Sequence, residues 1–171
     1  MADIDDFDLD RSTARAWAEF QSRLSEVTLM IDDTADLTIG TASEGNGPPP
    51  YVRLSSPRPG VIRCEAASNA VLGEDFQLSA ELLATMERLG WQPPTVADHE
   101  STIAPIQPTA NFWVELPQIE SDRISELAVS ALRDVYGVQH PVFLAPDKLA
   151  EALQPVQAPL ENDTSIKVAQ T

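Results

Sequence analysis

Apolar residues recur at helical spacing in three stretches of the chain and alternate with polar ones in four shorter stretches, which places helices and half-buried strands from pattern alone. Trp17, Phe20, Leu24 and Val27 share one face opposite Arg15, Glu19 and Arg23, so the spacing predicts a helix over 12–28 with Asp10 or Ser12 as its N-cap. Leu37 and Ile39 alternate with Asp36, Thr38 and Gly40, the period of a strand over 36–42. Glycines and prolines at 45–50 then break regular structure. Val52 and Leu54 alternate with Arg53 over 51–55, and the turn Pro57-Arg58-Pro59-Gly60 leads into a strand over 61–66, so the two segments form an antiparallel hairpin. Leu82, Leu83, Met86 and Leu89 give a second helix over 79–89. Gly90 suits the left-handed position just past its end, Trp91 then packs back on Met86, and Pro93 and Pro94 prevent continuation.

The stretch 95–110 reads as a loop with a short edge strand over 102–106. Phe112, Val114 and Leu116 alternate with Trp113 and Glu115 in a further strand, closed by Pro117. Ile124, Leu127, Ala128, Ala131, Leu132 and Val135 form the stripe of a third helix over 121–136, stopped by Gly137 and Val138. Residues 140–144 dock as a short extended segment, and 147–153 have room for one or two helical turns. The order α-β-β-β-α-(β)-β-α suits an α+β, two-layer domain: an antiparallel sheet of four to five strands with helices packed on one face. This single domain covers 11–144, preceded by an acidic tail over 1–10 and followed by a tail over 145–171.

The 171 residues carry 27 acids against 11 bases, a net charge of −16 that repels phosphate backbones and anionic lipid. Nucleic acid and membrane surfaces are therefore not expected partners. No stretch approaches the ~20 continuous apolar residues of a membrane helix, and an acidic N-terminus is unlike a signal peptide. A cytoplasmic location is expected, and the single cysteine, Cys64, agrees with a reducing compartment.

Catalytic chemistry finds little support. Cys64 lies on the same strand face as Ile62 and Ala66 and reads as a small core residue rather than a nucleophile. Asp98, His99 and Glu100 are adjacent and point in different directions, so they do not make a metal site, and His140 has no partner cluster. Phosphate-binding, nucleophile-elbow and zinc-protease motifs are absent, so the chain is read as a non-enzyme without cofactor or metal. The sheet face turned away from the helices is more informative. Alternation sends Tyr51, Arg53, Arg63 and Trp113 there, side-chain types enriched where proteins bind one another. The competing reading pairs Arg53 and Arg63 across strands with Glu65 or Glu115. Trp17 and Phe20 carry the same double reading, as core or as partner-binding surface.

The helix stripe from Trp17 to Val27, LGWQPP at 89–94, NFWVELP at 111–117 and ALRDVYGVQHPVFL at 131–144 resemble the actinobacterial TY-Chap domain, a family grouped with YbjN-like proteins and type III secretion chaperones. The resemblance covers about 11–144. It implies a type III secretion chaperone-like fold and a chaperone or adaptor that holds a peptide or protein client without catalysis. It also implies a homodimer, the state common among secretion chaperones. The alternative reading is a constitutive subunit or regulatory module whose acidic tail docks on one basic partner.

Overall fold

In the computed structural model, residues 9–41, 44–95 and 109–144 are described. Their elements run α1 (Leu9–Thr28), β1 (Leu37–Gly40), β2 (Tyr51–Arg58), β3 (Val61–Ala66), α2 (Ala80–Leu89), β4 (Phe112–Pro117) and α3 (Ser121–Ser130). The four strands form one antiparallel sheet in sequential order, an α+β meander with three helices. Its register aligns Leu37, Leu54, Cys64 and Val114 in one cross-strand row and Ile39, Val52, Ala66 and Phe112 in the next. Alternation turns both rows toward the helices, and every one of these side chains except half-buried Val114 is buried.

α1 and α3 pack side by side. α1 contributes Trp17, Phe20 and Leu24 to the core, and α3 contributes Ile124, Leu127 and Ala128. Trp17 and Phe20 meet edge to face with ring centroids 5.8 Å apart, the arrangement that aligns a positive ring edge with a negative face. Small buried residues let the helices approach closely: the hydroxyls of Ser25 and Ser121 lie 2.9 Å apart, and Ser25 Oγ donates to Asp122 Oδ1 at 2.6 Å. α1 starts at Leu9, so residues 9 and 10, expected in the tail, belong to the helix. Asp10 occupies the first turn, where a carboxylate favours the positive end of the helix.

The stop of α2 has the expected geometry. Gly90 lies at φ 106°, its N–H donates to Glu87 O, and the Trp91 N–H donates to Met86 O at 3.2 Å. Met86 and Trp91 are both buried, as packing of the residue after the stop on the last turn requires. The third helix differs from its expected course. Regular α-helix ends at Ser130, and Ala131–Val135 form a π-helical turn, so Tyr136 N–H donates to Ala131 O and Val138 N–H reaches Leu132 O, one residue wider than at α2. The β2–β3 hairpin is also longer than expected: Pro57 and Arg58 continue β2 past a register shift between Ser55 and Arg58, and Gly60 at φ 76° makes the turn.

Residues 140–144 form a 3-10 turn over Pro141–Phe143 rather than an extended segment. His140 Nδ1 accepts the Val142 N–H at 3.0 Å to cap it, and Leu144 then bridges to Thr41. The edge strand expected over 102–106, the helical turns over 147–153, and most of both tails lie outside the described residues. Among the described residues no helix is long and apolar enough to cross a membrane.

Candidate functional site

Register places the outward residues of the sheet in two rows: Thr38, Arg53, Glu65 and Trp113, then Ser55, Arg63 and Glu115. Opposite charges alternate through them. Arg53 pairs with Asp36, whose hydrogen bond is the main reason the guanidinium holds its proton more tightly than usual. Arg63 lies 3.7 Å from Glu115 and 4.0 Å from Glu65, and Arg58 reaches Glu115 at 3.6 Å. The Arg63 guanidinium also sits 5.5 Å from the ring centre of Trp113, within cation–π range. Trp113 is fixed in turn by its indole N–H, which donates to Pro93 O at 3.2 Å, and by a backbone bridge to Gln92. Thr109 donates its hydroxyl proton to Glu65. Three arginines and three carboxylates thus balance on this face of a strongly acidic chain.

Of the six residues singled out from the sequence, Arg53, Arg63 and Trp113 come together on this face. Arg63 is only 3% exposed, held inside the ion-pair row, whereas the Arg53 side chain keeps 44% of its surface in water. Tyr51 is half-buried at the start of β2, packs against the core and donates its hydroxyl to Asn111 Oδ1 at 3.2 Å. Trp17 and Phe20 sit in the opposite layer, inside the core. Trp17 also makes a polar contact, its indole N–H donating to Gln139 O at 3.3 Å and tying α1 to the segment after the π-turn.

The outer edge of β1 adjoins Arg53. Thr41 N–H donates inward to Pro50 O, so the alternation of an antiparallel ladder turns the backbone of Thr38 and Gly40 outward. The Thr41–Leu144 bridge occupies the far end of that edge.

Beyond the bridge lies a groove of about 320 Å³ lined by Thr41, Pro50, Phe76, Tyr136, Val138 and Phe143, among others. Sequence reasoning missed it, because its walls come from segments distant in the chain. One signal was present in the glycines: a Cβ on Gly73 would stand 2.2 Å from Asn46 O and 2.7 Å from Gly47 Cα, so only glycine lets the 44–47 and 73–76 turns meet. Asp75 accepts the Asn46 N–H at 2.8 Å across the same junction and so sets the position of neighbouring Phe76.

Burial, and to a smaller degree Glu65, pushes the Cys64 thiol far above its usual range, which suppresses the thiolate a nucleophile needs. Among the described residues no cluster of histidine, cysteine and carboxylate has the arrangement of a metal site. Asp98, His99 and Glu100 lie outside the described residues.

A family model, TY-Chap3, described as "T3SS (YopN, CesT) and YbjN peptide-binding chaperone 3", matches residues 10–150. Comparison with curated proteins and with solved structures found no match.

Proposed function

This chain belongs to the TY-Chap3 family of peptide-binding chaperones, and from that premise we propose that it holds an extended client segment beside β1 without transforming it chemically. The family match over residues 10–150 carries this reading. Backbone groups of Thr38 face outward along the strand, so a client pairs there by main-chain hydrogen bonds, which are indifferent to most of its sequence. Arg53 on the adjoining face contacts its side chains, Trp113 extends that surface across the sheet, and half-buried Tyr51 borders it at the start of β2. Arg63, Trp17 and Phe20 act from behind: Arg63 positions Trp113 and Glu115, while Trp17 and Phe20 hold the helical layer.

Site-specific photocrosslinking in the native host tests this. A photoreactive residue at position 38 or 53 is expected to capture polypeptide clients, while one at position 87, on exposed Glu87 of α2, captures none. An adduct at twice the chain mass would report a homodimer. A single stoichiometric partner captured at every position would favour the dedicated-subunit reading, and absence of adducts at positions 38 and 53 would overturn the proposal.

A further inference from the structure

We infer that the groove beside Phe143 seats one bulky apolar side chain from a basic, extended segment. The inference rests on the peptide-holding reading and adds the chemistry of the ligand.

Shape comes first. At about 320 Å³ the groove lies at the small end of the range for ligand sites, roughly 300–1,000 Å³, which suits a single large side chain rather than a cofactor. Its walls present Pro50, Phe76, Tyr136, Val138 and Phe143, and among the described residues no charged side chain lines it. Phe143 is 56% exposed and its neighbour Val142 is 70% exposed, so two consecutive apolar side chains stand in water at this end of the molecule.

The groove is also held in place before anything enters. Tyr136 Oη donates to Ala67 O at 2.7 Å, Trp17 ties down Gln139, the His140 ring caps the turn that carries Phe143, and Leu144 is bridged to Thr41. On the other side, the Gly47–Gly73 contact and the Asp75–Asn46 hydrogen bond fix the turn that carries Phe76. An occupant therefore meets a formed surface and loses little affinity to ordering it.

Charge selects the occupant. The 44–47 and 73–76 turns that meet beside Phe76 carry exposed Glu44, Glu74 and Asp75 and no basic residue. On the α3 side, Arg133 is neutralised by Asp134 at 2.8 Å. A segment with arginine or lysine flanking its apolar anchor meets complementary charge, while an acidic one is repelled by the rim and by the net charge of −16. Thr41 at the end of the sheet forms one wall, so an extended backbone leads the anchor in.

The test uses the full chain and a fluorescein-labelled octapeptide of alternating arginine and leucine with a central phenylalanine, read by fluorescence anisotropy. The control is the same peptide with glutamate in place of arginine. The basic peptide is expected to bind and the acidic one not to. Phe143→Asp should weaken binding about tenfold or more, by losing an apolar wall. Glu44→Lys/Glu74→Lys should weaken it and flatten its salt dependence. Leu29→Asp, at an exposed apolar position just past α1, should leave it unchanged, and circular dichroism should show each variant folded. Preference for the acidic peptide, no binding of the basic one, or binding of the basic peptide that a folded Phe143→Asp variant leaves intact would overturn the groove assignment. Client adducts at positions 38 and 53 alongside any of those results would leave the peptide-holding reading standing.

Discussion

Replacing Arg63 with alanine removes the centre of the ion-pair row. The residue is 3% exposed, within 3.7 Å of Glu115 and 4.0 Å of Glu65, and its guanidinium lies over Trp113. Breaking a buried pair by removing one partner costs about 3–5 kcal/mol, and losing a partly desolvated cation–π contact adds about 0.5–2 kcal/mol. Two features reduce the loss: Glu115 keeps Arg58 at 3.6 Å, and Glu65 keeps the hydroxyl of Thr109. The expected loss is therefore near the lower bound, about 3 kcal/mol, or a fall in Tm of about 6–12 °C for a domain of this size. Urea denaturation near neutral pH, followed by tryptophan fluorescence, measures it. Arg63→Met combined with Glu65→Gln leaves no isolated charge and should recover at least half of the loss. Arg53→Ala, which breaks a pair whose side chains are 44% and 48% exposed, should change stability by no more than about 1 kcal/mol. A loss below about 1 kcal/mol for Arg63→Ala would mean that the buried ion-pair row does not hold the sheet in this way. The contrast bears on function, because a binding defect in an Arg63 variant would be confounded with unfolding, whereas Arg53 can be reversed in charge on an intact sheet.

Two further predictions concern the core and the end of α2. Burial is the largest cause holding both the Cys64 thiol and the Tyr136 phenol protonated far above their usual ranges. Their contribution is complete below the unfolded-state values of about 8.5 for cysteine and about 10 for tyrosine. Above these the unfolded chain releases protons that the folded one keeps, so stability should fall by about 1.4 kcal/mol per pH unit for each group. Cys64→Ala should postpone the onset of the decline to about pH 10, and a wild-type stability that stays flat to that pH would contradict the burial of Cys64. Gly90→Ala, which forces a Cβ onto φ 106°, should destabilise by about 1–2 kcal/mol in thermal melts, and an unchanged melting temperature would contradict the stop geometry of α2.

What the sequence made legible was mostly local. The Gly90–Trp91 stop depends on residues within one turn of each other, and the helix-facing rows of the sheet follow from strict alternation in Leu37, Val52, Cys64 and Phe112. The π-turn at Ala131–Val135 escaped because the apolar stripe through Ala131, Leu132 and Val135 looks the same whether the helix repeats every four residues or widens to five. Pro57 looked like a turn residue because proline cannot donate to a ladder, yet a register shift lets it remain within β2. Alternation put Arg63 on the correct face but could not show how deeply it sits, since that depends on Glu115 and Trp113 from a strand some fifty residues away. The groove was the least legible feature: Thr41, Phe76, Val138 and Phe143 meet only after the sheet and α3 are assembled, and glycines 47 and 73 mark positions where backbone can approach closely without naming each other as partners.

Hydrogen exchange on the full chain, with and without a client recovered from the host, shows whether a polypeptide lies beside β1 and reaches the groove. Client binding should slow exchange in residues 37–41 and 136–144 and leave α2 at Ala80–Leu89 unchanged. Protection confined to α2, or a bound client that slows exchange in neither segment, would contradict it.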